Sequence, residues 1–272
     1  MHQNRIDQKF SELAGAGRKA LIPYLTAGYP DLSATGRMLR QIDALGVPLV
    51  ELGIPFSDSI ADGPVIQGSF HRVLGGTFRV AELFDLVRSL RANLSAGLLA
   101  MVSMSIVRRN TVPAFVDRCK ASGFDGLIVP DMPLEEASDV FSVAADAGLR
   151  SVMLVAPTTP APRCGQIARA SGGFVYQVAV RGITGERDEL PARVAEYVGR
   201  LRQVSHLPVC VGFGISTSDQ VRAVCKIADG AIVGSAVVRR ITEGIDAGRS
   251  GDDIADAVTA FVADLLKGTV PA

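Results

Sequence analysis

Some eight apolar segments alternating with amphipathic ones, near-continuous hydrophobicity within each apolar segment, and a length of 272 residues predict an α/β chain. The expected architecture is a single (β/α)8 TIM barrel with an extra N-terminal helix. Strands of such a barrel are covered by helices outside and filled by side chains inside, so they read as unbroken runs of Val, Ile and Leu. An open doubly wound sheet is the rival, but its Gly-x-Gly-x-x-Gly fingerprint is missing from the first strand–helix turn. No composition shift marks a linker, so residues 1–272 are expected to form one domain.

Residues 4–15 set Ile6, Phe10 and Leu13 at helical spacing, a helix suited to plug the bottom of a barrel. Residues 20–25 read as the first strand, followed by a turn at 26–30 and a helix over 32–45 through Met38, Leu39 and Ile42. The second strand opens at Val47 and is read as ending at Glu51. Pro48 is tolerated because it stands near the strand's first residue. Gly53, Pro55, Gly63 and Pro64 then turn the chain into a loop carrying Asp58 and Asp62, with a helix starting near Val65.

Residues 80–90 are helical through Leu83, Val87 and Leu90, and 97–104 form the third strand. Arg108 and Arg109 are read as a short basic pair on the loop after it, too short for a nucleic-acid patch. A helix begins at 113–119, and the fourth strand, 126–130, delivers Asp131. A helix over 134–147, a fifth strand at 151–155, a short helix at 166–170 and a sixth strand at 174–178 follow. Gly182-Ile-Thr-Gly185 after it suits a third phosphate-facing turn, and the polar loop on to Leu190 suits a lid, with an ordinary mobile loop as the plainer alternative. A helix at 192–204, a seventh strand at 208–211, a helix at 218–227 and an eighth strand at 231–233 lead to Gly234-Ser235, where a short helix starts. Residues 252–266 form the last amphipathic helix.

Composition narrows the function. Lys+Arg and Asp+Glu balance at 28 each, which argues against a broadly basic nucleic-acid surface. Cys119, Cys164, Cys210 and Cys225 have no Cys-x-x-Cys spacing and read as reduced, buried thiols. The start of the chain lacks an apolar signal core, and no apolar run is long enough to span a bilayer, so a soluble cytoplasmic protein is expected.

Barrel enzymes act at the carboxyl ends of their strands. None of Lys9, Lys19, Lys120, Lys226 and Lys267 follows a predicted strand, so Schiff-base chemistry lacks its nucleophile. His2, His71 and His206 form no ligand cluster, so no metal is expected. What remains is Glu51 and Asp131, with Asp58 and Asp62 nearby, which points to cofactor-free acid/base catalysis. A Glu51 among apolar neighbours has a raised pKa; its plainer alternative is a barrel-interior acid paired with an arginine. Asp62 has a helix-capping alternative at Val65, and Asp131 one at Glu135. Gly212-x-Gly214 and Gly234-Ser235, after the last two strands, suit a phosphate, because backbone N–H groups and a helix N-terminus converge there. The plainer reading is tight turns. Tyr24 and Tyr176 are core aromatics by default and flank a flat ligand if they point into the mouth.

Glu-Leu-Gly-Ile-Pro-Phe-Ser-Asp from Glu51, followed by Ala61-Asp-Gly-Pro64, resembles the tryptophan synthase α-subunit family. The likeness runs in order through Pro23–Pro30, Asp131-Met-Pro133, Gly182-Ile-Thr-Gly185, Gly212–Ser216 and Gly234-Ser235. The Glu51 motif is highly specific, whereas many phosphate-binding barrels share the glycine motifs. The resemblance implies retro-aldol cleavage of indole-3-glycerol phosphate to indole and glyceraldehyde 3-phosphate. By that likeness Glu51 handles the indole C3 and hydroxyl protons, and Asp62 the indole nitrogen. Tyr176 packs near the substrate and Thr184 closes the lid toward Asp62. Gly185, Gly214 and Ser235 hold phosphate, with Gly212 as a supporting turn. It further implies a pyridoxal-phosphate-bearing tryptophan synthase β-subunit as partner in an α2β2 complex, with no cofactor on this chain. A stand-alone lyase releasing free indole, or a non-catalytic subunit docking onto β, are the alternatives. The chain departs from the family pattern at Ser103 and Ser105 (commonly Tyr and Asn), at Ser59 (usually Pro) and at Ala179-Val-Arg181 (often Ser-Arg-Ser). The first two departures bear on the indole end and on the face toward β.

Overall fold

The computed structural model describes residues 3–59, 62–109, 111–178, 189–212 and 214–270. Helix α1 (Arg5–Gly15) precedes β1 (Ala20–Thr26), α2 (Leu32–Ala44), β2 (Leu49–Gly53), α3 (Pro64–Leu74), α4 (Val80–Leu90), β3 (Gly97–Met101), α5 (Met104–Arg109) and α6 (Val112–Ser122). Then come β4 (Gly126–Ile128), α7 (Leu134–Asp146), β5 (Arg150–Val152), β6 (Leu154–Val155), α8 (Ala161–Ala170), β7 (Val175–Val178) and α9 (Glu189–Arg202). The chain ends with β8 (Val209–Gly212), α10 (Ser218–Cys225), β9 (Gly230–Val233), α11 (Ser235–Asp246) and α12 (Gly251–Leu266).

Every strand pairing is parallel, in the order β5-β4-β3-β2-β1-β9-β8-β7-β6. The two ends of that order, β5 and β6, are one stretch of chain parted only by Met153. The predicted fifth strand is therefore split: its first half pairs with β4 and its second with β7. The circle closes there, where the Tyr176 N–H donates to the Met153 carbonyl at 3.0 Å.

Alternation with period two sorts side chains between two layers. Leu21, Leu25, Val50, Leu52, Leu98, Ala100 and Leu127 point outward into the core shared with the helices. Ala20, Ile22, Leu49, Leu99, Ile128, Val152, Cys210 and Ile232 point inward, with Phe174 beside them. Helix α1 seals the bottom of this interior, as its spacing predicts: Ile6, Phe10 and Leu13 join the same cluster. Asn4 fixes the helix, its Oδ1 accepting from the Ile6 N–H at 2.9 Å and its amide donating to the Asp125 and Gly148 carbonyls at 2.8 Å each. Glycine makes this close approach possible, since a Cβ at Gly126 would stand 2.8 Å from Ile6 Cδ1.

Three expectations need correction. Strand β2 does not end at Glu51 but runs on to Gly53, because Leu52 and Gly53 still pair with Leu25 and Thr26 on β1. Glu51 is thus an interior residue of the barrel. The third strand stops at Met101, and residues 104–109 form helix α5, so Arg108 and Arg109 sit in its last turn rather than on a loop. Asp131 supplies the reason: its carboxylate accepts from the Ser103 hydroxyl at 2.7 Å and the Met104 N–H at 2.9 Å. It thereby caps a helix 27 residues upstream of itself instead of α7, whose N-cap is Pro133.

Candidate active site

At the carboxyl ends of the strands lies a cavity of about 470 Å³. Tyr24, Glu51, Asp62, Tyr176, Gly212, Gly214, Gly234 and Ser235 all line it, so the structure brings together eight of the ten residues singled out from the sequence. Thr184 and Gly185 lie outside the described residues, as do Gly182 and Ala179-Val-Arg181.

Glu51 reaches the cavity floor from the middle of β2, flanked by Tyr24 on β1 and Leu99 on β3. It is fully buried, and neither carboxyl oxygen has a hydrogen-bond partner among the described residues. An unpaired charge there would lack solvation, so burial pushes its pKa from 4.5 up to about 8. No ion-paired arginine meets it among the described residues, which removes the plainer alternative there.

Asp62 comes from the loop after β2. The Gln67 side-chain amide clamps that loop by donating to the Ser59 carbonyl at 2.9 Å and the Asp62 carbonyl at 2.7 Å. Asp62 is not a helix cap: α3 begins at Pro64 with Gly63 as its N-cap and no capping side chain. Its pKa rises to about 6, first through desolvation and second through the charge of Asp131. One cavity thus holds two carboxyl groups of different proton affinity, protonated Glu51 and ionised Asp62 near neutral pH.

The tyrosines form the apolar walls, and glycines give them room. A Cβ at Gly53 would collide with the Tyr24 phenol, and one at Gly212 with the Tyr176 ring. Gly212 lies within β8, so its structural task is to admit Tyr176, a role distinct from the turn expected of it. Burial raises the proton affinity of both phenols, which remain neutral O–H groups.

In the same cavity Gly234 is the N-cap of α11 and Ser235 its first residue, so free backbone N–H groups and the positive helix end face the cavity. This end suits an anion. Sequence reasoning missed Arg239, which also lines the cavity. The signal was present, since Arg239 follows Ser235 by four residues and shares its helix face. Asp58 is exposed, outside the cavity wall. Among the described residues no cluster of His, Cys, Asp and Glu fits a metal ion. All four cysteines are free and buried, and no described helix is long and apolar enough to cross a membrane.

Comparison with known proteins gives a consistent result. A family model described as tryptophan synthase alpha chain matches residues 10–266. A tryptophan synthase alpha chain of Synechococcus sp. is 44% identical over 260 residues, covering 95% of each chain. One of Rhodopirellula baltica is 41% identical over 89% of this chain and 88% of its own length. Among solved structures, tryptophan synthase subunit alpha of Legionella pneumophila superposes with a TM-score of 0.89 at 33% identity, covering 98% of this chain and 99% of that one. A ligand-free tryptophan synthase of M. tuberculosis gives 0.86 at 31% identity, covering 98% and 99%. With the closed parallel barrel and the Glu51 motif already in place, the match over almost the whole length shows that this chain belongs to the tryptophan synthase alpha chain family.

Proposed function

We propose that this chain, acting as one catalytic unit in the cytoplasm, cleaves indole-3-glycerol phosphate into indole and glyceraldehyde 3-phosphate. The observation that carries this reading is the pair of carboxyls on one cavity, Glu51 near pKa 8 and Asp62 near 6. At neutral pH the first is an acid with a proton to give and the second a base.

The carbon–carbon bond to indole C3 breaks only if that carbon can leave with an electron pair. Glu51 gives its proton to C3 while Asp62 takes the indole N–H proton, leaving an indolenine. The Glu51 carboxylate then takes the proton of the glycerol hydroxyl beside C3. As that oxygen's electrons form the aldehyde C=O, the bond to C3 breaks and its pair becomes the C2=C3 double bond. The electrons of the C=N bond return to nitrogen, which recovers its proton from Asp62. Every proton taken is given back, so the route needs no cofactor on this chain. Tyr24 and Tyr176 flank the indole. Gly214, Gly234 and Ser235 take the phosphate, joined by Gly185 and Thr184, which lie outside the described residues.

The family name points further to a tryptophan synthase β-subunit as the recipient of the indole in an α2β2 complex. The assay is indole release from indole-3-glycerol phosphate by the purified chain, with and without β-subunit. Glu51→Gln and Asp62→Asn each lower kcat by roughly 10²–10⁴-fold. Full activity in either variant would refute the assignment. A rate indifferent to β would make the chain a stand-alone lyase.

A further inference from the structure

Arg239 is the one basic side chain on the described wall of the cavity, and its place there has a consequence for substrate choice. The same cavity carries the acids Glu51 and Asp62, with Asp131 close enough to act on Asp62. A substrate with one anionic end therefore has a single cationic side chain to meet on that described wall. The neighbouring Arg240 is already engaged, lying 3.6 Å from Glu243 and 4.9 Å from the centre of the Phe261 ring. Arg239 has no acidic partner within ion-pair distance among the described residues. A guanidinium near the N-terminal end of a helix adds to the positive dipole there, and no acidic residue in the first turn of α11 offsets it. The Arg239 guanidinium is exposed at the cavity rim and Glu51 is an unpartnered buried carboxyl, and a ligand that is anionic at one end and protic at the other meets both.

We propose that Arg239 is a specificity-determining residue: its guanidinium binds the phosphate of the substrate, selects phosphorylated over unphosphorylated indole-glycerols, and fixes which end faces the carboxyls. This rests on the reaction proposed above and deepens it. The guanidinium brings a full charge and a planar fork of donors where the backbone N–H groups of the helix end bring partial charges.

The experiment pairs two readouts on Arg239→Gln, Arg239→Lys and Arg240→Gln. Calorimetry measures glycerol 3-phosphate binding, and steady-state kinetics measure indole release from indole-3-glycerol phosphate and from its unphosphorylated counterpart. The expected result for Arg239→Gln is a roughly 10- to 100-fold rise in both the glycerol 3-phosphate Kd and the KM for the phosphorylated substrate. Its kcat stays within about twofold, and turnover of the unphosphorylated compound is unchanged. Arg239→Lys recovers part of the loss, and Arg240→Gln changes neither constant. Unaltered binding and KM in Arg239→Gln overturns the inference, as does an equal loss on both substrates. If the wild-type chain binds glycerol 3-phosphate but releases no indole, the proposed reaction falls, and calorimetry alone still decides the role of Arg239. If the wild type does not bind glycerol 3-phosphate, both fall.

Discussion

Glu51 and Asp62 carry the same functional group and differ only in where the fold puts them. One is sealed in mid-strand without a hydrogen-bond partner among the described residues, the other stands on a clamped loop, and their proton affinities part accordingly. The productive pairing, Glu51 protonated and Asp62 ionised, exists between about pH 6 and about pH 8. A profile of kcat/KM should therefore rise through the first value, fall through the second, and lose its acid limb in Asp62→Asn. A rate that keeps climbing beyond pH 9 would contradict the role given to Glu51. The glycines opposite the tyrosines make a second prediction. Gly53→Ala and Gly212→Ala each force a Cβ into a phenol that must shift to admit it, costing about 1–3 kcal/mol in urea denaturation. Gly214→Ala, with open space around its Cβ, should stay within about 0.5 kcal/mol.

Helix α1 and the strands show how far elements could be read from the chain. The helical spacing of Ile6, Phe10 and Leu13 was enough to place a plug under the barrel, because only one face of that segment is apolar. The break at Met153 was not legible: residues 151–155 form one apolar run, and the change of pairing partner is a matter of barrel closure, not of local propensity. Helix α5 was equally hidden, since its cap is the Asp131 carboxylate and Ser103 and Met104 read as the end of the third strand. The plug also offers a test that separates stability from catalysis. Ile6 is fully buried against Gly97, Gly126 and Gly173, at the opposite end of the barrel from the cavity. Ile6→Ala should cost about 2–5 kcal/mol of stability while leaving KM unchanged at temperatures where the chain stays folded. A raised KM with normal stability would show that the plug reaches the active site.

For the molecule as a whole, a functional acid in the barrel interior carries a stability cost that depends on pH. The order of elements and the Glu51 motif were legible because strands buried on both faces leave long apolar runs, against which one interior glutamate stands out. Arg239 was legible only through its place four residues after Ser235 on the same helix face, and without that link an arginine beside Arg240 on a helix reads as surface. The sign for Glu51 is fixed by its raised proton affinity. Between pH 4.5 and about 8 the folded chain keeps a proton that the unfolded chain has already lost. Raising the pH through that window therefore favours unfolding, with a limiting slope of about 1.4 kcal/mol per pH unit for one group. Glu51→Gln has no proton to keep, so its stability relative to wild type should grow across the window and level off above pH 8. Urea denaturation of both proteins at pH 5, 7 and 9 measures this directly. A constant difference at all three would mean that Glu51 titrates alike in the folded and unfolded chain, and that the interior of the barrel does not set its proton affinity.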